Sequence, residues 1–127
     1  MILVDTSVWV DHFRLGDSTL VELLQQGRVA THPFVVGEIA CCSLSCSLAD
    51  RTSIIDLMRQ LPKAPVAENH EVLTFIEHHR LFGKGVGYVD AHLLASTALT
   101  HQGSIWTRDK RLLAAAEGLG LAASLAH

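Results

Sequence analysis

Met1-Ile2-Leu3-Val4-Asp5-Thr6-Ser7-Val8-Trp9 opens the chain, and its reading decides the fold. A compact apolar run closed by an acid is long enough for a buried strand and too short for a buried helix. The period then changes: Val8, Trp9, His12 and Phe13 recur at helical spacing, Thr6 or Ser7 is placed to cap the first turn, and Gly16 ends it. Strand, acid, helix is the start of an α/β sheet, where ligand sites lie outside the carboxyl ends of the strands.

The same alternation continues along the chain. A second helix is expected from Asp17 or Ser18 through Leu20, Leu23 and Leu24 to the stop at Gly27, followed by a short strand over 28–31. Pro33 suits the first turn of a further helix, which carries Val35, Val36, Ile39 and Ala40 with Glu38 among them. Residues 48–61 and 70–82 predict two amphipathic helices, divided by the Pro62 to Pro65 break and a short strand near Val66. Gly83, Gly85 and Gly87 mark a loop, and 88–101 is a helix with Val89, His92, Leu93 and Ser96 on a packed face. Ser104-Ile105-Trp106-Thr107 predicts a strand ending near Asp109, then a helix over 111–117 and an edge strand over 119–125. The expected architecture is α/β: a single domain over 1–127 with a central, mostly parallel sheet of four to five strands flanked by helices.

Composition narrows the function classes. Hydrophobic residues make up 49% of the chain, yet no apolar run approaches the roughly 18 residues that span a bilayer. With an acid at position five and no basic n-region, the start does not read as a secretory signal, so the expectation is a cytoplasmic, soluble protein. The odd cluster Cys41, Cys42 and Cys46 forms no disulfide framework and lacks zinc spacing; it reads as small buried thiols. Ten Lys and Arg against thirteen Asp and Glu give a net charge of −3, which at first sight disfavours nucleic acid. The objection is weak if acids concentrate in one pocket, because setting Asp5, Glu38, Asp90 and Asp109 aside leaves a mildly cationic remainder.

Those four acids are the candidate site. Asp5 and Asp109 fall at strand ends, while Glu38 and Asp90 fall early in helices that follow Gly- or Pro-marked turns, so topology permits one cluster. Taken singly, an Asp at a strand end is a turn or cap residue. Asp5 after its apolar run and Asp90 between Val89 and Ala91 set charges against a core, and buried carboxylates need a partner. Carboxylate oxygens are the protein ligands preferred by Mg²⁺ and Mn²⁺, ions that polarise a phosphate and activate water.

Three segments carry a family resemblance: the opening nonapeptide, Gly87-Tyr88-Val89-Asp90-Ala91-His92-Leu93-Leu94-Ala95-Ser96, and Trp106-Thr107-Arg108-Asp109-Lys110-Arg111-Leu112. In order, spacing and length the chain resembles PIN-domain toxins of the VapC type, with a looser match around Val36-Gly37-Glu38-Ile39. The resemblance implies an Mg²⁺- or Mn²⁺-dependent endoribonuclease, the toxin of a bacterial toxin–antitoxin pair, acting on RNA, forming a homodimer and bound by a cognate antitoxin. It maps the catalytic acids onto Asp5, Glu38, Asp90 and Asp109, the metal ligands onto Asp5, Asp90 and Asp109 with Glu38 in support, and a supporting hydroxyl onto Thr107. Some relatives carry a further acid after the fourth; here Lys110, Arg111 and Leu112 follow, and one tightly held ion is expected.

Lys84, Arg108, Lys110 and Arg111 are candidate RNA contacts, by charge and by nearness to Asp109 or the glycine loop. His92 lies about 200° around a helix from Asp90 and reads as a packing residue; His78 and His79 read as helix surface. No His-Glu-x-x-His, Gly-x-Ser-x-Gly or P-loop pattern occurs. A phosphoacceptor domain is disfavoured because Asp50 and Asp56 sit in helical stretches, and a non-cleaving interaction module remains the competing class.

Overall fold

The computed structural model describes residues 1–44 and 48–125. β1 (Ile2–Val4) runs at the centre of a parallel sheet of order β2-β1-β3, between β2 (Val29–Ala30) and β3 (Ser104–Trp106). Ile2 pairs with Val29 on one side, and Ile2, Leu3 and Val4 pair with Ser104, Ile105 and Trp106 on the other. Parallel neighbours require crossovers. The first is made by α1 (Thr6–Leu15) and α2 (Ser18–Gln25). The second runs through α3 (Pro33–Cys41), α4 (Leu48–Arg59), α5 (Asn69–His79) and α6 (Tyr88–Leu99), and α7 (Lys110–Gly118) follows β3.

The expected four to five strands are three among the described residues. Both missing strands survive as single parallel bridges, Thr31 with Lys63 and Ile105 with Ala122. At the first, Ala64 N–H donates to Thr31 and Thr31 N–H to the Pro62 carbonyl, but Pro62 and Pro65 have no N–H to extend the ladder and Val66 is 52% exposed. At the second, only Leu121 and Ala123 exchange hydrogen bonds with Ile105.

β1 is buried on both sides, as a central parallel strand must be, and packs with Val8, Leu20, Val35, Ile39, Leu93, Leu94 and Leu112 from the surrounding helices. A smaller cluster, Ala67, Val72, Ala91 and Ala95, joins α5 to α6. The expected buried thiols are not found. Cys41 is exposed and Cys42 half-buried, since α3 turns Val35 and Ile39 inward and Cys41 lies about 200° round from Ile39. Cys46 lies outside the described residues.

Helix starts matter most for the site. Asp5 caps α1 in place of Thr6 or Ser7, because the helix begins on the residue directly after it. Asp17 caps α2, His32 caps α3 and Asp109 caps α7. Glu38 is the sixth residue of α3, not an early one, so it projects from the second turn.

Candidate active site

Asp5 leaves the carboxyl end of β1 only 6% exposed. Its Oδ2 accepts from the Ser7 hydroxyl and the Thr107 hydroxyl, each at 2.8 Å, and more distantly from Ser7 N–H at 3.4 Å. Both hydroxyl protons are thereby used, so the 3.3 Å approach of Ser7 to Thr107 is packing between two donors already committed. The same hydroxyl oxygens accept in turn: Ser7 from Arg108 N–H at 3.0 Å, Thr107 from Asp109 N–H at 3.1 Å. Oδ1 of Asp5 has no such partner among the described residues.

Asp109 repeats the arrangement one strand away. Its Oδ1 accepts from Arg111 N–H at 2.9 Å and Leu112 N–H at 3.0 Å, closing the first turn of α7, and its Oδ2 is left for other work. Glu38 is held by Thr6, whose hydroxyl donates to Oε1 at 2.7 Å and ties α3 to the start of α1. Asp90, third residue of α6, is half-buried, and its carboxyl is pushed up to about 6. Burial is the largest cause, followed by the charges of Asp5 and Asp109, with Glu38 adding less; a backbone hydrogen bond from Gly87 pulls the other way. The fold thus brings all four acids into one electrostatic neighbourhood.

These groups suit a hard divalent ion by chemistry, since every donor is an oxygen and the cluster carries uncompensated negative charge. No three of the four have oxygens within 4.8 Å of one another; among the described residues that spacing occurs only for Glu68, His70 and Glu71, exposed at the start of α5. Direct ligation by three acids at about 2.0–2.1 Å would draw them inward, whereas one or two direct carboxylates with waters completing the shell fits them as they stand.

Thr107, the candidate supporting hydroxyl, donates to the Asp5 carboxylate and accepts from Asp109 N–H. Ser7 and Thr6, expected as capping residues, bond to acids instead: Ser7 to Asp5 two positions away, and Thr6 to Glu38 32 positions away, a contact that spacing in sequence does not reveal. Arg108, a candidate RNA contact, is held by two carboxylates. Its Nη1 binds Asp11 at 2.6 Å, its Nη2 binds Asp17 at 2.5 Å, and its guanidinium lies 5.8 Å from the centre of the Trp106 ring. Lys84, Lys110 and Arg111 are exposed and carry no side-chain hydrogen bond or ion pair among the described residues.

His92 is 5% exposed and packs edge-on against Phe34 and Tyr88, 4.8 Å from each, as a packing residue should. Beside it His32 is wholly buried, and its Nδ1 accepts from Phe34 N–H at 3.0 Å. His78 is exposed and His79 half-buried.

A buried acid at the end of a central parallel strand, joined by three more from α3, α6 and the cap of α7, defines a PIN-type α/β fold. The family model for the PIN domain matches residues 2–118, and the chain belongs to that family. It is 46% identical over 122 residues to Ribonuclease VapC32 of Mycobacterium tuberculosis, in strains CDC 1551 / Oshkosh and ATCC 25618 / H37Rv alike, covering 96% of this chain and 95% of the relative.

Proposed function

We propose that the chain is a metal-dependent endoribonuclease that hydrolyses RNA phosphodiester bonds and acts as the toxin of a toxin–antitoxin pair. The observation that carries this reading is the convergence of Asp5, Asp109 and Glu38 on a half-buried Asp90, whose carboxyl is pushed up to about 6 by burial first and by those charges after it. The similarity to a protein named as a ribonuclease supports RNA as the substrate. Asp5, Asp90 and Asp109 would hold one Mg²⁺ or Mn²⁺, one or two of them directly and the rest through water, with Glu38 in support. When bound, such an ion polarises the scissile phosphate and lowers the pKa of the attacking water.

The chain's own residues pre-orient that site. Ser7 and Thr107 fix Asp5 through one carboxylate oxygen, the α7 amides fix Asp109 in the same way, and Thr6 fixes Glu38. Oxygens held in this manner lose little freedom on binding an ion, which is the purpose of a preorganised site. A single domain, a homodimer, a cytoplasmic location and a cognate antitoxin belong to the same proposal. No helix among the described residues is long and apolar enough to cross a membrane.

Cleavage of mixed RNA is the test, run with Mg²⁺ or Mn²⁺, with EDTA, and with Asp90→Asn. Cutting should need metal and vanish in the variant, and the ion should raise the melting temperature of the wild type but not of Asp5→Asn, because it binds the native state alone. Metal-independent cutting, or equal thermal shifts in both proteins, would overturn the mechanism.

A further inference from the structure

Between the 81–87 loop and α7 lies a groove of about 560 Å³, within the roughly 300–1,000 Å³ range of ligand pockets. Lys84, Lys110 and Arg111 line it, over a floor that includes Leu81, Ala115 and Leu119, and no carboxylate faces it. Three cations converge without an internal counter-charge, in contrast to Arg108, whose charge two aspartates neutralise.

The loop is shaped to this arrangement. Gly85 has φ +74°, and a Cβ there would stand 2.5 Å from Arg111 Cδ and 2.8 Å from its Nη1. The loop backbone therefore lies directly on the Arg111 side chain, and any larger residue at position 85 has to displace the guanidinium. That contact holds Lys84 and Arg111 on one groove.

The groove adjoins Asp109 through Arg111. Arg111 contributes its side chain to the groove and its backbone N–H to Asp109 Oδ1. A chain of phosphates leaving the acidic cluster past Asp109 meets cations next, with an apolar surface beneath for a base or ribose. An acidic peptide could use the same charges and floor; the groove's place beside Asp109 favours RNA.

Resting on the ribonuclease reading, we propose that this groove is a nucleotide subsite: it binds single-stranded RNA on one side of the scissile bond, with Lys84, Lys110 and Arg111 on its phosphates. Contacts of this type are tolerant of sequence, since phosphates carry none and an aliphatic floor accepts any base.

The experiment measures binding of a fluorescein-labelled single-stranded RNA of mixed sequence to the full chain carrying Asp90→Asn, by anisotropy over a range of salt. Each phosphate contact contributes about 0.7 to the slope of log affinity against log salt for single strands. Lys84→Ala, at an exposed loop position, should lower the slope by about 0.7, and Lys84→Ala with Lys110→Ala and Arg111→Ala by roughly 2. Gly85→Leu should weaken binding several-fold, whereas Arg59→Ala, at the far end of α4, should leave the slope unchanged. An unaltered slope in Lys84→Ala and the triple variant overturns the subsite even where wild-type RNA cleavage is intact. The expected slopes without any wild-type cleavage would instead remove the nuclease and leave an RNA-binding groove. Binding of a polyglutamate peptide as tightly as RNA of equal charge would also overturn the assignment.

Discussion

The Thr107 hydroxyl donates to Oδ2 of Asp5 at 2.8 Å, joining residues 102 positions apart. It also accepts from Asp109 N–H, so one side chain couples the acid that follows β1 to the acid that follows β3.

Thr107→Val keeps the shape and removes both bonds. Leaving buried polar groups unpaired costs about 1–3 kcal/mol, which denaturant unfolding should register. RNA cleavage should fall as well, and Thr107→Ser should restore both properties. A valine variant with wild-type stability and cleavage would remove Thr107 from the site.

Asp90 makes the metal-free protein pH-sensitive. Its folded pKa, about 6, is above the ordinary 3.8, so the native state holds the proton more tightly than the unfolded chain does. Stability is therefore favoured below pH 4 and lost as the pH rises through 6, by roughly 2–3 kcal/mol at full ionisation. In EDTA, Asp90→Asn should be the more stable protein at pH 7.5, with the gap closing toward pH 4. A gap that does not vary with pH would mean that Asp90 is not charge-strained.

His32 works in the opposite direction. Burial, and His92 beside it, hold its pKa down at about 4, and Nδ1 must stay unprotonated to cap α3. The unfolded chain takes up a proton near 6.5 that the native state refuses, so this contribution is present above 6.5 and erodes as the pH falls toward 4. His32→Asn keeps a capping side chain and does not titrate. In an Asp90→Asn background it should flatten the loss of stability between pH 6.5 and 4, read by urea midpoints across that range.

Arg108→Ala separates a structural cation from a substrate-binding one. Its ion pairs with Asp11 and Asp17 are partly exposed, where each is worth about 0–1 kcal/mol and is screened by salt. Unfolding at low salt should show a loss of about 1 kcal/mol that shrinks at high salt, while the salt slope of RNA binding stays unchanged. A lower slope would return Arg108 to the RNA contacts.

What the chain disclosed in advance follows from how local each signal is. Ile2 to Val4, closed by Asp5 and followed by a helical period, is decided within a dozen residues, and so are the turns at Gly16, Gly27 and Gly83. The two outer strands were over-read: near Val66 the ladder cannot extend because Pro62 and Pro65 lack an N–H, and 119–125, made of Leu, Gly, Ala and Ser with no β-branched residue, forms a single bridge to Ile105. The four acids were legible as residues; their spacing was not, since it depends on the packing of α3 and α6. The ion pairs of Arg108 were hidden for a related reason: its partners, Asp11 and Asp17, lie more than 90 positions away.

Asp5 and Asp109 each give one oxygen to the fold and leave the other without a partner among the described residues, and on the proposed reading this division of labour decides how the protein can be silenced. An asparagine at either position still presents a carbonyl oxygen to the waiting amides and hydroxyls, because Asn caps helices about as well as Asp. An alanine surrenders the cap along with the charge. Inactivation by amide replacement should therefore yield an intact, inert copy of the molecule, suited to trapping whatever it engages, whereas truncation to alanine would confuse a broken scaffold with a broken reaction.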